Sequence, residues 1–244
     1  MKILSLNLWN INAPLRERMH NLKMFIKHHQ PDIVAFQEVS RLPDGQLQVE
    51  EILRNNGYKS VCYRLSGFWG VRDEGLILAS RDRAEKILDK SLPLAPNDMP
   101  RGLIGIRILE GNNAGIVVFN THLAYMLDNY EGRYRQVKFI IDELNILSTT
   151  DKVVICGDFN EDANAGNIYP MMIKNGFRDT YDDVSHRFTF ATSNQYVVPE
   201  LWPDRRIDYI FEKNLRNLVS HCVMCETDGF SLCSDHFGIL AEER

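Results

Sequence analysis

Val153-Val154-Ile155-Cys156 runs straight into Gly157-Asp158-Phe159-Asn160. The first four residues are apolar and mostly β-branched, which suits a strand buried on at least one face. The next four hold an acid and an amide two residues apart. In an extended chain that spacing points both side chains the same way. In a turn, the Asp would instead accept a hydrogen bond from the backbone ahead of it. Working outward, the layout recurs. Ile3-Leu4-Ser5-Leu6 ends in Asn7, the run 32–36 ends in Gln37-Glu38, and Ile116-Val117-Val118-Phe119 ends in Asn120-Thr121-His122. The run 75–79, Gly-Leu-Ile-Leu-Ala, is equally strand-like. One polar residue after a strand is an ordinary cap or turn. Four such sets predict that the side chains converge, because ligands in open α/β sheets sit outside the carboxyl ends of the strands.

Two stretches between the runs have helical spacing. Residues 15–29 place Leu15, Met19, Leu22, Phe25 and Ile26 three and four apart, and residues 130–147 repeat the pattern through Tyr134, Val137, Ile140, Ile141, Leu144 and Leu147. Strands and helices mixed in this way give the α/β class. Arg206-Ile207-Asp208-Tyr209-Ile210-Phe211 carries an acid inside an apolar run, where a carboxylate needs a partner. Ser234-Asp235-His236 precedes the run 237–240 and supplies a natural one. An Asp–His pair fixes the imidazole tautomer and raises its basicity.

The chain's 244 residues suit one large domain spanning 1–244, with no repeat, low-complexity tract or linker. Its 44% hydrophobic and 25% charged residues are ordinary globular usage. The first ten residues lack the pattern of a secretory signal, and no stretch approaches the roughly 20 apolar residues of a membrane span. A cytoplasmic protein without a transmembrane segment is therefore expected. Cys62, Cys156, Cys222, Cys225 and Cys233 are odd in number and scattered, a poor disulfide framework. Cys222-x-x-Cys225, with His221 and Cys233 nearby, has the donors for zinc, but buried thiols near the end of the fold are the plainer reading. A formal net charge of −5 disfavours a broad, nonspecific grip on a nucleic-acid backbone. It does not exclude a nuclease, since a metal site itself concentrates carboxylates. No feature of the sequence fixes an oligomeric state.

Taken in order, each attached to its own strand, these motifs resemble those of the endonuclease/exonuclease/phosphatase superfamily, the fold of deoxyribonuclease I and of exonuclease-III-type apurinic endonucleases. The resemblance runs from Asn7 to His236. It implies a four-layer α/β sandwich, two mostly antiparallel β-sheets packed face to face with helices outside. It also implies a Mg²⁺-dependent hydrolase in which water attacks phosphorus in line, Mn²⁺ fitting the same ligands. By this resemblance Glu38 binds the metal, Asn7 helps position it, and Asp235 is a further carboxylate on the metal side. Asp158 and Asn160 orient the attacking water and contact the phosphate. Asp208 and His236 form a dyad, acting as acid–base or as an electrostatic pair. His122 matches a second active-site His of the deoxyribonuclease-I and sphingomyelinase branches. Arg133 and Gln136, three apart on the second helix as the family often has them, brace the site or reach the substrate, with a surface salt bridge the equal alternative.

Substrate choice in such folds lives in loops. Three stretches are candidates: 63–74 with Arg64, Phe68, Trp69 and Arg72, 92–102 with three prolines and Arg101, and 192–206 with Tyr196, Trp202, Arg205 and Arg206. Arg101, Trp202 and Arg206 are the substrate-binding candidates. Aromatics beside Arg suit base stacking and phosphate contact on single strands or frayed ends. They suit a lipid interface as well. Phe188-Thr189-Phe190, the segment 205–208 and the segment 234–238 resemble the tyrosyl-DNA phosphodiesterase and neutral sphingomyelinase branches. The expected substrate is a nucleic acid, cut by an endo- or exonuclease or a DNA end-processing enzyme. A lipid headgroup or another small phosphodiester is the alternative. A non-catalytic binding module is disfavoured by the completeness of the polar set.

Overall fold

Each apolar run of the sequence becomes a strand of one of two sheets. The computed structural model describes residues 1–69, 72–145, 147–183, 188–198, 201–215, 217–225 and 228–244; the side chains of Phe68, Trp69 and Arg72 lie outside the described set. In chain order the first half holds β1 (Lys2–Asn7), α1 (Leu15–His29), β2 (Ile33–Val39), α2 (Glu50–Asn55), β3 (Ser60–Trp69), β4 (Arg72–Ser80), β5 (Ala84–Ser91) and β6 (Gly102–Ile108). The second half holds β7 (Val117–His122), α3 (Tyr130–Leu144), β8 (Val153–Asp158), α4 (Ile168–Lys174), β9 (Arg178–Asp179), β10 (Asp208–Lys213), β11 (Leu218–Val223) and β12 (Gly238–Glu243). The sheets run β11-β12-β1-β2-β4-β3 and β5-β6-β7-β8-β10-β9.

Each sheet is built around one parallel pair, β1 with β2 and β7 with β8; the other neighbours are antiparallel. A parallel pair needs a crossover, and α1 and α3 provide it. The register sets Asn7 level with Gln37 and His122 level with Asp158. The antiparallel partners begin where these strands end, so Asp208 at the head of β10 pairs with Asp158. Gly157 lets β8 lie this close to β7, since a Cβ there would sit 2.2 Å from Thr121 O.

Strand alternation then sorts the layers. Ile3, Ile33, Ala35, Val118, Val154 and Cys156 point between the sheets and form a shared core. Leu4, Leu6, Val34 and Phe36 point outward onto α1, where Leu22, Phe25 and Ile26 pack. Val117, Phe119, Val153 and Ile155 point outward onto α3 and α4, where Val137, Ile140 and Met172 pack. The result is helix, sheet, sheet, helix, the four-layer sandwich. Helix α3 ends at Leu144, three residues short of the expected end, although Leu147 still packs against the same core. Cys222 and Cys225 are buried with Ala191, Leu232 and Phe237. Among the described residues no helix is long and apolar enough to cross a membrane.

Toward the edge where the parallel strands end, the layer between the sheets turns polar. Gln37 Nε2 donates to Asn120 Oδ1 at 2.7 Å, and Asn120 Nδ2 donates to Phe36 O at 2.8 Å and Ile77 O at 2.7 Å. Both side chains are fully buried. Asn120 thus ties one sheet to two strands of the other. Replacing it removes a donor from each of two buried carbonyls and one acceptor from Gln37 Nε2, which keeps Ala35 O at 3.2 Å; each unmet buried group costs roughly 1–3 kcal/mol. Asn120→Leu should therefore lower unfolding free energy by about 3 kcal/mol or more in urea titration. A loss below about 1 kcal/mol would mean that the bridge carries little of the sheet packing.

Candidate active site

Asp158 is the centre of the site because of where β8 stops. Its Oδ1 accepts the backbone N–H of Asn160 at 2.9 Å, which closes the turn after the strand. That leaves Oδ2 facing three groups. Asn7 Nδ2 donates to it at 3.1 Å, His122 Nε2 lies 3.5 Å away and His236 Nε2 lies 3.7 Å away. Of the two alternatives offered by the Asp158–Asn160 spacing, the turn is the one the structure adopts. The Asx hydrogen bond is present, while the extended geometry is not: Asn160 has φ 53°, a left-handed conformation that Asn tolerates. Asn160 Nδ2 donates one of its two N–H groups to Leu123 O at 3.1 Å.

The first strand pair delivers the acid opposite. Regular alternation would turn Glu38 outward with Phe36. Instead the β2–β4 register shifts between Phe36 and Val39, and Glu38 takes φ 51°. An irregularity of this kind re-aims a side chain next to a functional edge. Asn7 Nδ2 also donates to Glu38 Oε1 at 3.0 Å, while its oxygen accepts the N–H of Trp9 at 2.9 Å. Asn7 therefore bridges Glu38 and Asp158 through its NH₂ group, and its oxygen is engaged by the backbone.

Two histidines flank Asp158 in opposite charge states. His236 Nδ1 lies 2.9 Å from Asp208 Oδ2. Burial opposes the charge of His236, but Asp208, by charge and hydrogen bond, together with Asp158 and Asp235, outweighs it and raises the pKa to about 10. His122 is pushed well below its ordinary value by burial, Arg101 and His236. Its Nδ1 faces the Arg101 guanidinium at 3.0 Å, and arginine can only donate. The neutral ring therefore carries its proton on Nε2, toward Asp158. Arg101 is held in turn by Glu74 at 2.6 Å and Asp98 at 3.3 Å.

The acids are crowded. Burial and then Asp235 raise Glu38 to about 7, and burial and then Asp208 raise Asp158 to about 6. Burial and then Glu38 raise Glu74 to about 7, and burial raises Asp235. Repulsion of this kind marks sites where function outweighs stability.

An open cleft exposes the cluster. Its wall contains Glu38, Asp158, Asn160, His122, Asp235, His236, Arg101 and Trp202. Asn7 and Asp208 stand just behind it, bonded to wall residues. Arg206 is elsewhere: it pairs with Asp179 at 2.7 Å and stacks over Tyr209, Tyr181 and Tyr169. Arg205 takes the place expected of it. Neighbours on an extended segment face opposite sides, and Arg205 and Ile207 face the cleft. Glu74 also lines the cleft and was not anticipated; it sits near the start of an antiparallel strand, just before the run 75–79. Trp9, Tyr125 and Phe190 add aromatic wall. Arg133 and Gln136 do not reach the cleft wall. Arg133 binds Glu161 and the carbonyls of Ala124, Met126 and Leu127, and Gln136 holds Ala124 N–H and Pro93 O. They brace the loops beside His122.

A model of the endonuclease/exonuclease/phosphatase family matches residues 4–236. Protein angel of Drosophila melanogaster is 26% identical over 177 residues, 68% of this chain and 49% of that protein, so the chain spans about half the length of this relative. An endonuclease/exonuclease/phosphatase family protein from Leptotrichia buccalis superposes with a TM-score of 0.78 at 20% identity, covering 100% of this chain and 99% of the other. D. rerio TDP2, complexed with single strand DNA product, superposes with a TM-score of 0.70 at 19% identity, covering 99% and 97%. At these identities the likeness to the solved structures is one of fold.

The two imidazoles give a direct readout. In metal-free protein at neutral pH, ring ¹⁵N shifts should show His236 with both protons and His122 with one, on Nε2. Because the folded pKa of His236 lies above its ordinary 6.5, its pairing adds stability that is complete below that value and lost as pH rises through about 10. A His236 ring that deprotonates near its ordinary value would contradict this electrostatic arrangement.

Proposed function

The chain belongs to the endonuclease/exonuclease/phosphatase family, and from that membership we propose that it is a divalent-metal-dependent phosphodiesterase acting on nucleic acid. The observation that carries the reading is the surplus of acid around Asp158. Arg101 offsets Glu74, and His236 offsets Asp208 and Asp158. Glu38 and Asp235 are partly open to the cleft, repel one another, and make no ion pair with a Lys or Arg among the described residues. Hard oxygen donors with uncompensated charge fit Mg²⁺ or Mn²⁺. Glu38 and Asp235 would hold the cation; Asn7 would fix Glu38. The donor atoms of Glu38, Glu74 and His122 also lie within 4.8 Å of one another, but the Arg101 cation already sits against the last two. When bound, the metal neutralises charge on the phosphate and makes it a better electrophile.

The chain's own groups do the rest. Asp158, raised to about 6, is an ionised carboxylate of more than ordinary basicity at neutral pH. It orients water and takes its proton as the oxygen bonds to phosphorus and the ester bond breaks. His236, held as imidazolium by Asp208, donates from Nε2 to a phosphate oxygen where negative charge develops. His122, neutral, hydrogen-bonds the phosphate or the leaving oxygen through its Nε2–H, and the leaving oxygen takes its proton from solvent water. Nucleic acid is favoured by Trp9, Tyr125 and Trp202 in the same wall as Arg205, a pairing that serves base stacking and phosphate contact. The net charge of −5 favours a short single-stranded segment or an end over a long duplex.

End-labelled single- and double-stranded DNA should be cleaved with Mg²⁺ and not with EDTA. Asp158→Ala and His236→Ala should each lower the rate at least about a hundredfold, the usual span of one acid–base or electrostatic group. Metal-dependent cleavage that survives both substitutions would exclude this mechanism. Folded, metal-loaded protein that leaves DNA intact but cleaves a lipid-headgroup phosphodiester would exclude the substrate.

A further inference from the structure

Arg205 is a cation that the fold positions but does not neutralise. Its backbone N–H donates to Phe190 O at 2.8 Å, and Phe190 N–H donates to Arg205 O at 3.0 Å. The other side of Phe190 forms a bridge with His236. This small ladder sets Arg205 and His236 two inter-strand steps apart, roughly 10 Å. The guanidinium lies over the Phe190 and Trp202 rings, 5.5 and 5.6 Å from their centroids. Among the described residues it makes no ion pair, and its buried Nε has no hydrogen-bond partner. Two aromatic faces fix the orientation of the side chain while leaving its donors unspent.

Arg205 also stands where two clefts meet. The catalytic cleft and a neighbouring groove share Asn160 and Arg205, and the groove continues along Leu127, Tyr130 and Pro203. Of the acids of that groove one is neutralised by an arginine and two keep their charge while capping backbone N–H groups. Glu161 pairs with Arg133, Asp162 accepts the backbone N–H groups of Arg206 and Asn164, and Asp204 accepts that of Thr192. Beside these two carboxylates the groove sets the Arg205 guanidinium, at its junction with the catalytic cleft, and an apolar wall, with Leu127 41% and Tyr130 46% exposed. That combination suits an anion followed by a flat, weakly polar group.

We propose that Arg205 and this groove form a subsite for a second phosphate of the substrate, the one adjoining the scissile phosphodiester, with its nucleoside against Leu127 and Tyr130. The inference rests on the nucleic-acid reading above and narrows it to strands bearing at least two phosphates. Arg206, one residue on, is excluded from this role by its pairing with Asp179.

The test compares d(TpT), with one phosphate, and d(pTpTp), with a further phosphate on each side, in Mg²⁺. Wild type should show a KM lower by about ten- to hundredfold for d(pTpTp), the worth of one charge-assisted contact. Arg205→Ala should abolish that preference by raising KM for d(pTpTp), with a much smaller change in kcat. Arg205→Lys, which keeps the charge but not the planar fork, should retain part of it. On longer oligothymidylates, Arg205→Ala should reduce the slope of log affinity against log salt by about one. Equal KM values in wild type, a preference that survives Arg205→Ala, or an equal fall in kcat on both substrates in Arg205→Ala and Arg205→Lys would each overturn the subsite. Metal-dependent hydrolysis of bis(p-nitrophenyl) phosphate with neither dinucleotide cleaved would instead overturn the nucleic-acid reading on which the subsite depends.

Discussion

Negative charge crowded at one edge of two packed sheets is the constraint to which the surrounding structure answers. Glu38, Glu74, Asp158, Asp208 and Asp235 all converge there, and burial lifts Glu38, Glu74, Asp158 and Asp235 above the ordinary carboxylate range. Water cannot solvate such a cluster fully, so the protein must compensate it locally. Arg101 answers Glu74, His236 answers Asp208 and Asp158, and the Asn7 amide stands between Glu38 and Asp158. Glu38 and Asp235 are the pair that the chain leaves open toward the cleft.

The sheets make this crowding possible without disorder. Each parallel pair ends level, by register, and each antiparallel neighbour starts at the same edge. Side chains from β1, β2, β7, β8 and β10 therefore meet without any long loop having to place them. The Gln37–Asn120 bond, with the two carbonyls that Asn120 also satisfies, ties the sheets just inside that edge. A site on strand ends is held more tightly than one on loops, which matters when several charged groups must keep fixed distances.

Much of this was legible in the sequence. Asn7, Glu38, His122 and Asp158 could be read because each interrupts a β-branched run, and Asp208 because a lone acid in an apolar segment demands a partner. Helix α1 was legible to its ends, since its apolar spacing stops at Ile26 and Pro31 follows Gln30. Other features depend on tertiary context. Strands β5 and β9 lie at the edges of their sheet and alternate weakly, so no apolar run announces them. Glu74 belongs to the site because β4 runs antiparallel to β2, a fact about pairing that composition does not carry. The choice between Arg205 and Arg206 turns on which face an extended segment shows to the cleft, and two adjacent arginines look alike until that face is known. The turn of Asn160 and the irregularity at Glu38 are backbone choices made by neighbours across the sheet.

The central claim is that Glu38 and Asp235, which make no ion pair with a Lys or Arg among the described residues, take a divalent cation. Calorimetric titration with Mn²⁺ tests it without reference to any substrate. Wild type should bind one ion, with Glu38→Gln and Asp235→Asn each weakening binding at least about tenfold and Glu74→Gln weakening it little, because Glu74 is already paired with Arg101. Unchanged affinity in Glu38→Gln and Asp235→Asn, or a loss confined to Glu74→Gln, would contradict the account.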